Sequence, residues 1–452
     1  MGTYLSRTPA SAVAAERRKF TFSCWHKRCN PAGETHLLSG NITGSSYTYL
    51  RFQTDGSLRF RLYDGGNQAD IQSNDVFRDP ASWYHIVLQF DSTQGSASDR
   101  VKIYVNNRQL TDLQSTTYPS QDYSSWINHN SEQRINGSSD ATCYLADVHQ
   151  AGNQIYAPST FGETDSTTGI WKPKSSVTGV NYGTNGFHLK FENAGAMGTD
   201  SSGNTNTFTV NSAGTNPQTT DTPSNNFAVF NPVIAYLPAG SNPTVPTFSE
   251  GNLKTVTTNS GKLGGSATFQ INKGKWYAEF KFVSSNNAGS TVESVIGVTD
   301  SPQRNAASFG KPGERAHDVA YDQTGMKMIG DSRTSFGATY TDGDVIGVAV
   351  DLDNNAIYFS KNGVFQNSGV PTSGSTKTGA IALTDPASTI EGGYYFAVGE
   401  ATSETSTHQA NFGNAPFSIS SGNADAAGHG NFEYAVPSGY YALCTRNLNT
   451  YG

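Results

Sequence analysis

Charge is scarce in this 452-residue chain: Asp, Glu, Lys and Arg make up 15% of it, and the formal net charge is −7. No long basic run exists, which argues against a nucleic-acid partner, since such a partner needs a cationic stripe or patch. Long apolar runs are missing as well. No stretch of ~18 apolar residues occurs, so membrane insertion is not expected. Near the N-terminus Arg7, Arg17 and Arg18 flank Ala10-Ser-Ala-Val-Ala-Ala15, which is too short and too weakly apolar for a signal-peptide core. Cysteine is limited to Cys24, Cys29, Cys143 and Cys444. Four in a chain of this length form no disulfide framework. Cys24 and Cys143 lie in strand-like apolar runs and are expected to be buried free thiols. Helical periodicity is absent except over residues 9–18, and without heptads there is no coiled-coil stalk.

What the chain has instead is 47 glycines, 22 tyrosines and 24 phenylalanines. Short apolar runs recur between Gly, Asn, Asp and Pro clusters. That composition predicts an all-β protein rich in turns. Residues 343–363 illustrate it. Ile346, Val348, Val350 and Leu352 fall on one face of a strand, Asp353-Asn-Asn355 turns the chain, and Ile357-Tyr-Phe359 begins the return. Asn362-Gly363 is then a favoured tight-turn pair. Earlier, Phe20, Phe22 and Cys24 alternate with Thr21, Ser23 and Trp25. Tyr47–Arg51 and Leu58–Tyr63 predict a hairpin around Asp55-Gly56. Trp83–Phe90, Val101–Val105 before Asn106-Asn107, and Cys143–Val148 complete the first set. A second set follows in Trp276–Phe282, Ser294–Val298, Asp318–Tyr321 and Tyr394–Val398. The expected fold is two antiparallel β-sandwiches, jelly-roll-like, joined by an irregular connector. The expected boundaries are an N-terminal segment 1–18, a first sandwich 19–160, a connector 161–250 and a second sandwich with its tail, 251–452.

Three resemblances sharpen this. Phe20-Thr-Phe-Ser-Cys-Trp25, Trp83-Tyr-His-Ile-Val, Val101-Lys-Ile-Tyr-Val-Asn-Asn107 and Tyr144-Leu-Ala-Asp-Val resemble the laminin-G and pentraxin-like group of concanavalin-A-type sandwiches. Gly274-Lys-Trp-Tyr-Ala-Glu279, Ile296-Gly-Val298, the 343–363 hairpin and Tyr395-Phe-Ala-Val398 resemble SPRY domains, in that family's order. Between them, Tyr182-Gly-Thr-Asn-Gly-Phe-His-Leu, Asp200-Ser-Ser-Gly-Asn and Asp221-Thr-Pro-Ser-Asn-Asn-Phe look like a connector found in structural proteins of tailed bacteriophages. The resemblances imply recognition modules in a virion protein. Laminin-G-like relatives also leave room for calcium at a sandwich rim, but the spacing assigns no ligand here, and no other cofactor is expected.

Enzyme chemistry finds little footing. Glycoside cleavage needs two carboxylates about 5 to 10 Å apart. The first sandwich offers no such pair on a strand, and Glu279 stands alone on its own. Asp351 and Asp353 share a face but lie at a turn, where Asp caps backbone. A calcium loop starting at Asp351 fails at Ala356 and Asn362, which stand where Gly and Glu belong. The nine histidines show no zinc-like spacing, and His85 reads as a packed strand residue. No nucleophile elbow or phosphate loop is present. No catalytic residue is therefore assigned.

Recognition remains, carried by loops on rigid sandwiches. The candidate ligand-binding residues are Tyr63, Asp64 and Asn67 in the first domain and Arg333, Phe336 and Tyr340 in the second. For the second set the alternative is that they close a sheet edge, and for the first that they make a plain hairpin turn. The expected function is a bacteriophage fibre or head/tail appendage that binds a host-surface glycan or protein. Such a protein would reside in the virion, be assembled in the host cytoplasm, form a homotrimer and join other virion proteins through residues 1–18. The alternatives are a decoration protein without a host ligand and a polysaccharide depolymerase.

Overall fold

A computed structural model of the chain describes residues 3–42, 44–137, 143–211, 218–233, 246–257, 263–285, 294–302, 311–400 and 405–452. The chain divides into two compact units, Met1–Gln218 and Thr219–Gly452. Each is a β-sandwich, as the alternation predicts.

In the first unit an eight-stranded sheet runs in the order Leu113–Thr117, Asn67–Val76, Ser57–Asp64, Ser46–Phe52, Thr35–Gly40, Gln133–Ile135, Tyr4–Arg7 and Thr209–Asn211. The facing sheet runs Phe187–Leu189, Cys143–Gly152, Lys19–Arg28, Trp83–Asp91, Val101–Val105 and Arg108–Gln109. All these pairings are antiparallel. The core lies between the sheets, with Phe20, Phe22, Cys24, Ile86, Leu88 and Phe90 meeting Leu50, Phe52, Phe60, Leu62 and Ile71. The turn pair Asn106-Asn107 has φ of 48° and 66°, as a two-residue hairpin requires. All four cysteines are free thiols.

Two of the expected segments are engaged by the folded units. The N-terminal segment is built into the first sandwich over its described part. Tyr4–Arg7 is an inner strand, paired on both sides. In this segment helix is confined to Ala14–Arg18: extended Val13 is the N-cap, its carbonyl accepting from Arg17 N at 3.0 Å. Buried Glu16 accepts hydrogen bonds from the backbone N–H groups of Thr184 (2.5 Å) and Asn185 (3.0 Å), tying the segment to the chain beyond the sandwich. The expected connector, too, is shared between the units. Residues 153–182 lie over the outer side of the six-stranded sheet: Thr21 Oγ1 donates to Gln154 O and accepts from Tyr156 N, and Gln89 Nε2 donates to Tyr156 O. This cover explains why Lys19–Arg28 is buried on both faces beyond its first residue.

In the second unit a nine-stranded sheet follows the path Thr247–Ser249, Lys254–Val256, Ser406–Asn411, Lys275–Ser285, Val345–Asp351, Ala356–Lys361 and Val364–Phe365. Ile381–Ala382 pairs with Ala356–Lys361, and Tyr441–Ala442 pairs in parallel with Lys275–Ser285. The second sheet runs Leu263–Ser266, Tyr395–Gly399, Val295–Thr299, Val319–Asp322, Met326–Ile329 and Ser332–Ser335. Asn362 and Gly363 have φ of 48° and 81°. The outer side of the larger sheet is buried under the C-terminal region, where Phe432, Tyr440, Ala442 and Cys444 pack with Tyr277, Ala349 and Tyr358. Phe227, expected in the connector, belongs to this same cluster.

Candidate functional site

The strands Ser46–Phe52 and Ser57–Asp64 show how alternation builds a surface. Leu50, Phe52, Leu58, Phe60 and Leu62 point into the core. Their neighbours Tyr47, Tyr49, Arg51, Arg59, Arg61 and Tyr63 must then face outward. The register sets Tyr47 opposite Tyr63, Tyr49 opposite Arg61, and Arg51 opposite Arg59. The rings of Tyr63 and Tyr47 stack with centroids 5.3 Å apart, and those of Tyr47 and Tyr49 at 5.4 Å. Guanidinium groups close against this row. Arg61 lies 5.9 and 5.5 Å from the Tyr47 and Tyr63 ring centres, and Arg51 lies 4.3 Å from that of Tyr49.

The arginines differ in what else they hold. Arg59 clamps Asp70 with both Nε and Nη2, the first bond at 2.7 Å. Arg51 pairs with Glu34 at 2.9 Å. Arg61 donates to the Asn67 amide oxygen at 3.3 Å and hydrogen-bonds the Tyr49 hydroxyl, and no carboxylate among the described residues pairs with it. Stacking shields the ring faces from each other. With Tyr49 itself buried, the ladder offers the edges of half-buried Tyr47 and Tyr63 beside one guanidinium that has no carboxylate partner among the described residues. Burial pushes the Tyr49 hydroxyl above the ordinary tyrosine range, so it stays a neutral donor.

Of the predicted residues in this domain, Tyr63 and Asn67 belong to the ladder. Asp64 is exposed but occupied, accepting from Ser46 Oγ at 2.8 Å and Tyr123 Oη at 3.1 Å. Of the three predicted residues in the second unit, Arg333 is exposed, Phe336 half-buried and Tyr340 buried. Tyr340 is 2% exposed and hydrogen-bonds with Ser294 and Tyr321. Phe336 packs edge-on against Tyr321 and Phe359. Arg333 is paired with buried Asp322 and Thr324. An aromatic residue in a Gly/Ser-rich loop reads as exposed from sequence, but here the loop folds back to close the sandwich end.

Sequence reading missed a second polar site in the first unit. The strand Cys143–Gly152 slips its register against Lys19–Arg28 between Ala146 and His149, and Asp147 within that bulge has φ +48°. His149 pairs across the strands with His188, and their rings stack at 3.8 Å with a 20° tilt. Asp147 Oδ1 lies 2.7 Å from His188 Nε2 and 3.1 Å from His149 Nε2. His149 Nδ1 is 2.8 Å from the Tyr182 hydroxyl. Burial opposes ionisation of Asp147, but the two imidazoles overcome it and hold the carboxyl below the ordinary aspartate range. His85, expected as a packed residue, is one: it is fully buried, stacks on Trp25 at 4.7 Å and bonds to Ser23 and Trp171.

The carboxylate pair weighed for catalysis is engaged in turn formation. Asp351 accepts from Asn354 N and Nδ2 and pairs with Lys275, and Asp353 caps Gly274 N. A polar hollow of about 430 Å³ in the first unit contains Gln89, Gln94, Lys19 and Asp91. Its groups already bond to one another or to backbone, and no aromatic residue lines it.

Comparison with known proteins agrees with the two architectures. Residues 2–150 match the family model of the concanavalin A-like lectin/glucanases superfamily, and residues 249–383 match that of the SPRY domain. The chain thus carries a laminin-G-type, concanavalin A-like domain and a SPRY domain. No curated protein matches. Among solved structures, the SPRY domain of human HERC1 is 15% identical, with 38% of this chain and 96% of that chain covered, at a TM-score of 0.27. The heptameric SAP-like pentraxin of Limulus polyphemus is 14% identical, with 40% and 90% covered, at 0.25.

Proposed function

We propose that the chain is a virion structural protein of a tailed bacteriophage, a tail fibre or head/tail appendage that binds a glycan or protein on the host surface and catalyses no reaction. The observation that carries this reading is the Tyr47–Tyr49–Tyr63 row with Arg61 lying against it. Tyrosine and arginine anchor interfaces because they combine large area with directional donors. Arg61, without a carboxylate partner among the described residues, suits a glycan that carries an acidic group. The resemblance of the 182–227 motifs to phage connectors supports the setting. Fold alone does not set function, so the weight rests on the site.

On this reading the protein resides in the virion as a symmetric oligomer, a trimer. It meets other virion proteins through exposed residues of the N-terminal stretch, such as Ala10, Ala12 and Ala14. Neither nucleic acid nor a membrane is a partner.

A glycan array and a host-cell binding assay test the proposal with wild type, Arg61→Ala and Tyr63→Ala. Binding to acidic glycans is expected, falling roughly 10-fold in Arg61→Ala, the equivalent of about 1.4 kcal/mol for one anchoring arginine. Binding that both variants retain in full overturns the assignment of the site. Absence of any host binding favours a decoration protein instead, and release of reducing ends from host polysaccharide favours a depolymerase.

A further inference from the structure

Among the described residues, Asp147, His149 and His188 form a group whose ligand atoms all lie within 4.8 Å of one another. We propose that these three residues bind a first-row transition-metal ion, Zn²⁺ by preference, which clamps the strand Phe187–Leu189 to the strand Cys143–Gly152.

The donor set selects the metal. Two imidazoles and one carboxylate suit Zn²⁺ and its first-row neighbours, whereas calcium and magnesium take oxygen ligands. Three protein ligands with one position left to solvent is an ordinary zinc arrangement. Solvent can enter past Asp147, whose side chain is 27% exposed. The second observation is His149 Nε2. This side chain is 0% exposed, and its Nε2 lies 3.1 Å from the Asp147 carboxylate yet off the angle of a proper hydrogen bond. A buried ring nitrogen left so is uncommon and calls for an explanation. An ion between it and the carboxylate supplies one. The Tyr182 hydroxyl at Nδ1 then takes the place of the outer partner that orients a ligating histidine. His85 is not a further ligand, because both its nitrogens are engaged by Ser23 and Trp171. The stacked rings set their Nε2 lone pairs side by side. Ligation therefore requires the His188 ring, 11% exposed, to swing toward the ion.

The full chain, stripped with chelator, is titrated with Zn²⁺, Co²⁺ and Ca²⁺ by calorimetry, and the cobalt form is read by visible absorption. One Zn²⁺ or Co²⁺ per chain is expected, with d–d bands of a nitrogen/oxygen site, a higher melting temperature and no heat with Ca²⁺. Asp147→Asn, which keeps the side-chain shape, is expected to lose more than about 100-fold in affinity, beyond the loss typical of outer-shell changes. Should that variant not fold, His188→Gln on the more open side of the site decides. No uptake by wild type, undiminished uptake by the folded variant, or thiolate-to-cobalt charge-transfer bands from the cysteines each overturn the proposal.

Discussion

Glu279 gives the sharpest test of how the second unit holds together. The residue is 0% exposed on the inner strand Lys275–Ser285. Its carboxylate accepts from Glu433 N (2.9 Å), Tyr434 N (2.7 Å), Asn411 Nδ2 (3.0 Å) and Tyr277 Oη (3.3 Å). Burial raises its pKa, and these donors oppose the shift. In Glu279→Ala the losses are unequal. Asn411 keeps its bond to Asn431 O, and the Tyr277 hydroxyl has Ser360 beside it. The N–H groups of Glu433 and Tyr434 lose their acceptor in a water-poor place, at roughly 1–3 kcal/mol each. Relief of the buried charge offsets part of this, so the net expectation is a loss of about 2–4 kcal/mol. Glu279→Gln keeps one carbonyl oxygen but turns an amide toward a donor, and should lose roughly half as much.

The effect should also be local. Phe432, Tyr440 and Ala442 cover Tyr277 and Tyr358 just beyond those two N–H groups. Urea unfolding measures the global loss, and limited proteolysis followed by mass spectrometry locates early cleavage. Cleavage in 415–440 is expected to accelerate before any other site. A Glu279→Ala protein within about 0.5 kcal/mol of wild type, with an unchanged cleavage pattern, would refute the view that this carboxylate fastens the C-terminal cover.

Two further outcomes are expected. Burial, with the nearby Asp300 charge adding to it, raises the Asp318 pKa to about 6, against opposing hydrogen bonds and Arg315. A folded-state pKa above the unfolded value of 3.8 gives stability that is present at acid pH and lost as the pH rises toward about 6, close to 3 kcal/mol for this shift. Asp318→Asn should therefore stabilise at pH 7 and change little at pH 3.5. Thermal melts at both values check this, and equal effects at the two would refute a raised Asp318 pKa. Glu16→Ala removes the acceptor of Thr184 N and Asn185 N and should destabilise the first unit by about 2 kcal/mol in urea.

The strands were legible because their signals are local. Alternation in Phe20–Trp25 and Tyr47–Arg51 needs only neighbouring residues, and Asn106-Asn107 or Asn362-Gly363 carries its own backbone preference. The covers were not legible, because no periodicity marks residues 153–182 or 432–444. They are held by single long-range bonds, such as those to Thr21, Gln89 and Glu279. The histidine pair was hidden for a related reason. His149 and His188 meet only through strand register, and Asp147 reaches them only through a bulge with positive φ. Tyr340 failed the other way: its composition-based exposure gives way to three buried hydrogen-bond contacts.

The position of charge in the first unit is itself an argument. A sheet face turned to solvent needs polar groups, but Ser and Thr would serve, and the outward positions Thr21 and Ser23 on Lys19–Arg28 are of that kind beneath their cover. On Ser46–Phe52 and Ser57–Asp64 the chain instead sets three arginines among three tyrosines, although only 30 of its 452 residues are Lys or Arg. Two of these arginines pair with Glu34 and Asp70, and the first, Arg51, also lies 4.3 Å from the Tyr49 ring centre. Arg61 is held by the Tyr47 and Tyr63 rings yet has no acidic partner among the described residues. Solubility does not call for a charge so fixed in place, since a free lysine would supply it with less ordering. An anion brought by another molecule does call for it, because a preorganised guanidinium loses little freedom on binding. Arg61→Lys is therefore the more exacting variant: it keeps the charge and loses the planar fork. Acidic-glycan binding near the alanine level is expected, and wild-type binding would mean that charge alone is recognised.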